Sequence, residues 1–386
     1  MYLIACIAIA LCVWFVFRRF LLENFYISHK GKYVFITGCD SGFGRLLALK
    51  LTEIGVNTFA GCFTQEGCDS LEKEGLNQGG ANLVTLRLDI TSEKSVEDAR
   101  KFVEEYLEKK DAYLHAIVNN AGIFTIYGPD DWCSTDEYVN SLNVNTLGAI
   151  RVCHAFVPML KKSKGRVVTM GSTAGRLHGL YVGPYVTAKF AVEAYMDCLR
   201  LELRPFGVSV HMLEPGCFKT NLLNEQAQNT RVDKTWSRLS EEVKEEYGLE
   251  FLRNFKTAWQ LGVNLVANPN LMWVVSCYEH ALFAMYPRLR YAPGWDAIFC
   301  FIPLSVFPTQ IQDWVLSLMY SVQPGPPLIP KSLEKEKLKK SRFSSIAFYL
   351  FQLAVVAAGL VVFFSRIGLF VGDSNRVVLK QTNNTV

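Results

Sequence analysis

The chain has 386 residues, of which 50% are hydrophobic and 20% charged, enough for one large domain or two small ones. Its net charge of only +4 at pH 7 argues against the strongly basic surface that binds nucleic acid, so we expect no nucleic-acid partner. The 11 cysteines show no Cys-x-x-Cys spacing and no clustered histidine. We therefore expect no metal site and mainly buried, reduced thiols.

The N-terminus carries a continuous apolar run over residues 3–17, and Arg18 and Arg19 follow it. A cleaved signal peptide has its charge before the apolar run and a small-residue cleavage site after it. The reversed order predicts an uncleaved membrane anchor over residues 1–22. The run is short for a full span of about 20 residues, so a cleaved signal stays open as the alternative.

A nucleotide-binding opening is predicted directly after this segment. An apolar strand over 33–37 leads into a glycine loop, Gly38 to Gly44, and an amphipathic helix over 45–54. Glycines allow the backbone to approach a pyrophosphate, and the helix N-terminus offers free N–H groups to the anion. The spacing is G-x-x-x-G-x-G, a weak signal alone, but the flanking strand and helix are those such a loop requires.

Strands and helices alternate through the next part of the chain. The further strands are predicted at 56–62, 83–88, 114–118, 166–171 and 208–213, and the helices between them at 66–74, 92–108 and 135–162. This alternation predicts an α/β fold with a doubly wound parallel sheet. Polar motifs follow the carboxyl ends of the strands, where such sheets bind ligands.

The most informative stretch runs from the strand at 166–171 into a helix that starts near Pro184. Ser172 stands where the strand stops, and Tyr185 and Lys189, four residues apart, share one face of the helix. A neighbouring ammonium lowers the pKa of a phenol from about 10, so Tyr185 is predicted to be an acid/base. The alternative is an ordinary surface Tyr/Lys pair.

Together the motifs resemble the short-chain dehydrogenase/reductase family over about residues 31–290. Residues 37–44 match the family's cofactor loop, 119–122 (Asn-Asn-Ala-Gly) its sheet-stabilising motif, and Pro215-Gly216 with Thr220 its nicotinamide-side motif. The amino-acid sequences of 37–44 and 184–203 resemble those of membrane-bound retinol dehydrogenases, hydroxysteroid dehydrogenases and 3-hydroxybutyrate dehydrogenase. The resemblance implies a Rossmann-type sheet, a nicotinamide cofactor and a possible homodimer.

The resemblance also implies the site residues. Asn145, Ser172, Tyr185 and Lys189 match the catalytic tetrad. Tyr185 would move the proton, Ser172 would hydrogen-bond the substrate oxygen, Lys189 would hold the ribose and Asn145 would anchor a relay water. Without the resemblance, Asn145 would be interpreted as a surface residue. The implied cofactor contacts are Thr37, Gly38, Asp40, Ser41, Gly42, Phe43, Gly44, Asp89, Asn119, Ala121, Gly122, Tyr185, Lys189, Pro215, Gly216 and Thr220.

The glycine loop predicts NAD rather than NADP. A 2′-phosphate needs a cation beside the ribose, whereas the loop offers Asp40 and Ser41, and residues 62–65 contain no Lys or Arg. The second strand ends without an acidic residue that would hold the ribose hydroxyls.

The expected substrate is a lipophilic alcohol, a steroid or a retinoid, because residues beyond Thr220 are rich in apolar and aromatic side chains. Two alternatives stay open. A 3-hydroxybutyrate dehydrogenase would need a cationic clamp and a mitochondrial leader, which residues 1–30 do not resemble. An inactive nucleotide-binding membrane scaffold is the alternative of another class, although no member of the tetrad is missing.

The last third of the chain is predicted to complete the catalytic domain, 31–320, with 222–320 covering the substrate. The apolar stretch 297–322 could be a pocket wall, a membrane-resting segment or core. A Pro-rich and basic linker is predicted at 323–345 and a transmembrane helix at 346–370, with a buried helix as the alternative.

The charges around both apolar ends predict a topology. Arg18, Arg19 and the basic residues of 331–342 lie on the sides facing the catalytic domain, and basic flanks stay cytoplasmic. We therefore expect an endoplasmic reticulum membrane protein, in contact with membrane lipid, with a cytosolic catalytic domain and lumenal termini. A domain that faces the lumen is the alternative.

Overall fold

A single seven-stranded parallel sheet forms the centre of the computed structural model, which describes residues 2–76, 82–322 and 324–334. The strand order is β3-β2-β1-β4-β5-β6-β7. The strands are β1 (Tyr33–Thr37), β2 (Asn57–Cys62), β3 (Leu83–Arg87), β4 (Leu114–Asn119), β5 (Arg166–Met170), β6 (Ser209–Leu213) and β7 (Arg290–Tyr291).

Helices connect the strands and complete the C-terminal part. They are α1 (Tyr2–Phe20), α2 (Gly42–Glu53), α3 (Gln65–Leu76), α4 (Glu93–Lys109), α5 (Thr135–Leu142), α6 (Ala149–Ser163), α7 (Gly183–Leu203), α8 (Glu225–Arg238), α9 (Glu241–Val266), α10 (Met272–Phe283), the single turn α11 (Ile302–Leu304) and α12 (Thr309–Val322). A break at Gly248, with φ of 80°, interrupts α9.

The sheet has a separate apolar core on each face. Alternate residues of β1 point to opposite faces, so Phe35 packs into one core and Val34 and Ile36 into the other. On the first face Phe35 stacks on Phe156 of α6, with ring centroids 4.3 Å apart. Burial on both faces explains why β1 is apolar throughout rather than alternating.

The doubly wound parallel sheet predicted from the sequence is confirmed, with two local differences. β7 has only two residues, too short to leave a sequence pattern. The helix predicted over 135–162 is interrupted by a π-helical segment, Asn143–Gly148, which separates α5 from α6. Such segments recur at functional sites, and this one contains Asn145.

Helix α1 is joined to the catalytic body by a buried carboxylate. Glu23 is 5% exposed, and its carboxylate accepts hydrogen bonds from Arg19 at 2.9 Å and Arg288 at 2.7 Å. The backbone oxygen of Glu23 lies 3.0 Å from Nε2 of His280. An antiparallel bridge between Tyr26 and Ala284 continues the attachment. The C-terminal end of α1 is therefore fixed against α10 and the segment between α10 and β7.

Of the two predicted membrane segments, the structure describes only the N-terminal one, from residue 2 onward. Within residues 2–76, 82–322 and 324–334, no helix is both long enough and apolar enough to cross a membrane. The predicted C-terminal span, 346–370, lies outside the described residues, as do residues 335–345 of the predicted linker.

Residues 324–334 of the predicted linker pack along α9. The Asn254 side chain donates a hydrogen bond to the Pro327 carbonyl at 3.3 Å, and Leu328 joins an apolar cluster that contains Trp132 and Phe255. Gly325, with φ of 129°, lies so close that a Cβ there would be 3.0 Å from Cα of Ala258. This part of the chain belongs to the packed body.

Candidate active site

A cavity of about 1030 Å³ lies at the carboxyl edge of the sheet. It is lined by the loops that follow β1, β4, β5 and β6, where open α/β sheets bind ligands. The volume reaches the upper limit of ordinary ligand pockets, about 300–1,000 Å³, so a dinucleotide and a second molecule can share it.

The three residues predicted to react line this cavity together. Ser172 lies two residues after the end of β5, and its hydroxyl accepts a hydrogen bond from the Ala174 amide at 3.1 Å, which fixes the turn. Tyr185 and Lys189 follow on the first turns of α7, which has a proline in its first turn. Nζ of Lys189 donates to the Met170 carbonyl at 2.9 Å and lies 5.6 Å from the Tyr185 ring centroid.

The electrostatics of Tyr185 and Lys189 differ from the sequence expectation. The protein packed around the Tyr185 phenol removes water and raises its pKa to about 12, although a hydrogen bond with Ser172 acts in the opposite direction. Burial lowers the pKa of Lys189 to about 8, against the opposing charge of Glu193. Burial therefore outweighs the predicted lowering of the phenol pKa by the lysine.

Asn145 lines the cavity and is 4% exposed, so it is buried rather than on the surface. Its Oδ1 accepts from the Ile123 amide and its Nδ2 donates to the Ile123 carbonyl, both at 3.0 Å. Nδ2 also reaches the Ser141 hydroxyl at 3.2 Å. Thr146 donates to the Ala188 carbonyl at 2.8 Å, so the π-helical segment is tied directly to α7 beside Lys189.

The glycine loop has the geometry that a pyrophosphate requires. Gly38 has φ of 73°, and a Cβ there would lie 2.7 Å from Cα of Ala121, so no other residue fits. Gly42 has φ of 64° and faces open space in the cavity. The N-cap side chain of α2, Ser41, makes no capping hydrogen bond, which leaves the first N–H groups for an anion.

Two carboxylates line the cofactor end of the cavity. Asp40 accepts hydrogen bonds from the Phe63 amide at 2.7 Å and from the Thr64 amide at 2.8 Å. It therefore lies at the end of β2, the place where the sequence offers no acidic residue. Asp89 accepts from the Thr91 amide at 2.8 Å. A dinucleotide with free ribose hydroxyls fits these two acceptors, because the hydroxyls can donate to the carboxylates.

Two of the predicted cofactor residues lie behind the cavity wall. The hydroxyl of Thr37 accepts from the Asn120 and Ala121 amides at 3.1 and 3.0 Å. Nδ2 of Asn119 donates to Thr169 at 3.1 Å and so braces β4 against β5. Asn120, which the sequence analysis did not select, lines the cavity, and its amide reaches the Gly38 carbonyl at 3.1 Å.

The other predicted cofactor residues surround the same cavity. Those that line it are Gly38, Asp40, Ser41, Gly42, Phe43, Asp89, Ala121, Gly122, Tyr185, Lys189, Pro215, Gly216 and Thr220. Gly44 lies just below, where a Cβ would collide with Asn120 and the Gly38 carbonyl. Cys217 also lines the cavity, and its amide donates to Asp296 at 2.6 Å. No sequence pattern points to Cys217 beyond its place next to Pro215-Gly216.

The opposite end of the cavity is apolar. Its walls come from the loop after β4, from α9 and from the C-terminal part of the chain, and include Phe124, Leu222, Trp259, Phe301, Leu316 and Met319. The stretch 297–322, left open between three interpretations, therefore contributes a wall of the cavity. Phe299, Val306 and Phe307 of the same stretch are exposed.

The arrangement can perform proton transfer at an alcohol or ketone oxygen. A phenol, a hydroxyl and a buried ammonium converge between a dinucleotide-shaped end and an apolar end. Among the residues described, no group of three or more His, Cys, Asp or Glu side chains could hold a metal ion.

Comparisons with known proteins agree with this geometry. The sequence profile described as "short chain dehydrogenase" matches residues 32–231. The chain is 62% identical to "3beta-hydroxysteroid dehydrogenase dhs-16" of Caenorhabditis elegans over 356 residues, which cover 92% of each protein. It is 41% identical to "Retinol dehydrogenase 5" of Homo sapiens, over 74% of this chain and 87% of that protein.

A solved structure shares the fold. A short chain dehydrogenase/reductase from Burkholderia phymatum, in complex with NAD, superposes with a TM-score of 0.59 at 20% identity and covers 78% of this chain and 99% of its own.

Proposed function

The chain belongs to the short-chain dehydrogenase family, and on this premise we propose that it transfers a hydride between NAD and a lipophilic alcohol or ketone, a hydroxysteroid first and a retinol second. The observation that carries the proposal is the cavity in which Ser172, Tyr185 and Lys189 stand between a dinucleotide-shaped end and an apolar end.

The chain's own residues hold the substrate oxygen and move its proton. Ser172 hydrogen-bonds the oxygen and keeps it beside the Tyr185 phenol. In ketone reduction, Tyr185, whose raised pKa of about 12 keeps it protonated, donates its proton to that oxygen. In alcohol oxidation the phenolate accepts the hydroxyl proton, and Lys189 stabilises that phenolate. When bound, the nicotinamide supplies or accepts the hydride.

The composition of the cavity supports a lipophilic substrate. Among the described residues that line it, Lys189 is the only Lys or Arg, and it is already engaged beside Tyr185. A small carboxylate such as 3-hydroxybutyrate would lack a second cation to bind it. The relative named as a 3beta-hydroxysteroid dehydrogenase, at 62% identity, favours a 3β-hydroxysteroid, and the retinol dehydrogenase at 41% supports the second candidate.

Asp40 supports NAD over NADP. Its carboxylate is held by the Phe63 and Thr64 amides at the end of β2, where it would accept from ribose hydroxyls and repel a 2′-phosphate. Among the described lining residues no arginine offsets that repulsion.

A substrate panel tests the proposal. The purified full-length protein in detergent is given NAD⁺ or NADP⁺ with 3β-hydroxysteroids, retinol or 3-hydroxybutyrate, and NADH or NADPH formation is measured. We expect turnover of a hydroxysteroid with micromolar KM and a preference for NAD⁺. Turnover of 3-hydroxybutyrate alone would contradict the substrate, and no turnover of any alcohol would favour the inactive scaffold.

We also propose attachment to the endoplasmic reticulum membrane, through α1 and the segment 346–370, with the catalytic domain in the cytosol. The basic residues Arg18 and Arg19 and those of 331–342 support this orientation. In sealed microsomes, added protease should digest the region 31–320 without detergent. Full protection until the membrane is dissolved would place the domain in the lumen.

Self-association is proposed as well. The apolar stripe Val192, Met196 and Leu199 of α7 is buried in the chain's own core, whereas Phe190 and Leu201 of the same helix are exposed. Sedimentation of the detergent-solubilised protein should show a dimer, and a monomer at all concentrations would contradict it.

A further inference from the structure

A group of partly buried charges lies beside the catalytic residues without lining the cavity. We call Arg176, Glu193, Asp197, Glu214 and Arg290 the Arg290 cluster. Glu193 and Glu214 are 4% and 2% exposed. Nη1 of Arg290 donates to the carboxylates of both glutamates, and Nη2 donates to Asp197 at 2.6 Å. Arg176 donates to Glu214 at 3.0 Å.

The cluster connects the segments that carry the chemistry. Arg176 belongs to the turn that begins at Ser172, Glu193 and Asp197 follow Lys189 on α7, and Glu214 directly precedes Pro215-Gly216. Arg290 forms half of the two-residue strand β7. One guanidinium therefore holds the catalytic helix and the end of β6 together, and Arg176 extends the connection to the Ser172 turn.

Glu193 fills the space beneath that turn. A Cβ at Gly171 would collide with Oε1 of Glu193, and a Cβ at Gly175 would lie 2.7 Å from its Cγ. The two glycines that flank Ser172 thus leave the room that the Glu193 side chain occupies. Oε1 of Glu193 is buried without a hydrogen-bond partner among the described residues. A buried orphan oxygen costs stability, which argues for a role beyond packing.

Glu193 also faces the catalytic lysine along α7. Tyr185, Lys189 and Glu193 follow at intervals of four residues and share one helix face. The Glu193 carboxylate raises the pKa of Lys189 against the effect of burial. Burial and the neighbouring Glu214 raise the pKa of Glu193 itself, and Arg290 acts against them. The other charged groups around Glu193 are Arg290 from β7 and Glu214 from β6.

We propose that Glu193, held by Arg290, is a positioning residue: it supports the Ser172 turn from below and holds its carboxylate on the α7 face that carries Lys189. The inference rests on the proposed oxidoreductase function for its kinetic consequences, but its structural consequence is measurable without turnover.

Three variants separate these effects. Glu193→Ala removes both the support and the charge, Glu193→Gln keeps the shape and removes the charge, and Asp197→Asn is the matched control. Asp197 also binds Arg290, but its side chain is 44% exposed and it lies four residues beyond Glu193 on α7, further from Lys189.

Hydrogen exchange of the Ser172 turn is the first measurement. Two backbone hydrogen bonds hold this turn: the Gly171 amide donates to the Leu213 carbonyl at 2.7 Å, and the Thr173 amide donates to the Pro215 carbonyl at 3.1 Å. In Glu193→Ala we expect peptides covering 171–177 to exchange about tenfold faster, with the strands β1 and β4 unchanged. In Asp197→Asn the turn should exchange as in the wild type.

Kinetics are the second measurement. For Glu193→Ala we expect kcat to fall about 10–100-fold while KM and NADH affinity stay close to wild type, because displaced catalytic groups lose rate rather than binding. Glu193→Gln should keep its maximal kcat, but the decline of alcohol oxidation at high pH should begin at a lower pH, since Lys189 loses the neighbouring carboxylate and its ammonium deprotonates earlier.

The outcomes that overturn the inference are distinct from failure of the proposed function. Unchanged exchange of 171–177 in Glu193→Ala, or equal acceleration in Asp197→Asn, overturns it whether or not the wild type turns over a substrate. If Glu193→Ala does not fold, the pH profile of Glu193→Gln is the deciding measurement. A decline of alcohol oxidation at the same high pH as in the wild type then overturns the inference. A wild type without turnover refutes the proposed function alone.

Discussion

Gly42 offers a test of the cofactor end that separates binding from backbone strain. Gly42 and Gly31 both adopt the left-handed region, with φ of 64° and 72°, and a Cβ at either would meet nothing within 4 Å. Only Gly42 lines the cavity, at the start of α2. Gly42→Ala and Gly31→Ala therefore share the same backbone penalty and differ in whether the added methyl stands in the path of a ligand.

The expected losses of thermal stability and of NADH affinity follow from that geometry. The left-handed conformation costs a non-glycine residue roughly 1–2 kcal/mol, which lowers Tm by about 2–8 °C for a domain of this size. A methyl group at Gly42 also keeps a pyrophosphate from the N–H groups of α2. Loss of one charge-assisted hydrogen bond, about 1.5–3 kcal/mol, weakens NADH binding about 10–150-fold.

The assay compares thermal unfolding with and without NADH in both variants. At about 100 times its Kd, NADH stabilises the wild type by about 2.7 kcal/mol. We expect Gly31→Ala to retain this ligand-induced shift in Tm and Gly42→Ala to lose most of it, although both begin from similarly lowered Tm values. Equal NADH affinity in the two variants would refute the placement of the pyrophosphate at α2.

Three further predictions concern the reaction. Tyr185→Phe keeps the ring that packs 4.9 Å from Phe124 but removes the proton, so kcat should fall about 10²–10⁴-fold with NADH binding retained, and near-normal kcat would disprove the acid/base role. Because burial lowers the pKa of Lys189 to about 8, the ammonium that stabilises the Tyr185 phenolate loses its charge above that pH, so kcat for alcohol oxidation should decline above about pH 8. Ketone reduction, whose proton donor Tyr185 stays protonated, should change little up to that pH, and an oxidation rate that keeps rising well above pH 8 would contradict this. Asp40→Asn should raise kcat/KM for NADP⁺ relative to NAD⁺ about tenfold, and comparable values for the two cofactors in the wild type would disprove repulsion by Asp40.

The sequence predicted the parts of the site that depend on local spacing. Tyr185 and Lys189 share a helix face because they are four residues apart, and Ser172 lies just after its strand, where the apolar run stops. The pKa of Tyr185 could not be predicted in the same way. It depends on how much protein packs around the phenol, and that protein comes from segments far away in the sequence.

Contacts between distant segments account for the other differences. Asp40 supplies the acidic group missing from the end of β2 by binding the Phe63 amide, 23 residues further along the chain. Arg290 has no sequence pattern that would connect it to Glu193, although the position of Glu193 four residues after Lys189 was a signal that could have been used. The Pro-rich stretch 324–334 has the composition of a linker, but Leu328 packs into an apolar cluster.

The attachment of α1 through Glu23 has a consequence for the order of synthesis. The backbone oxygen of Glu23 meets His280, 257 residues later in the chain. At about 5–20 residues per second, the N-terminal segment leaves the ribosome about 13–50 s before this partner exists. Helix α1 therefore meets its surroundings in the cell long before it can meet the catalytic body. The ion pair of Glu23 with Arg288, beside the one with Arg19, thus forms among the last steps in the folding of the newly made chain.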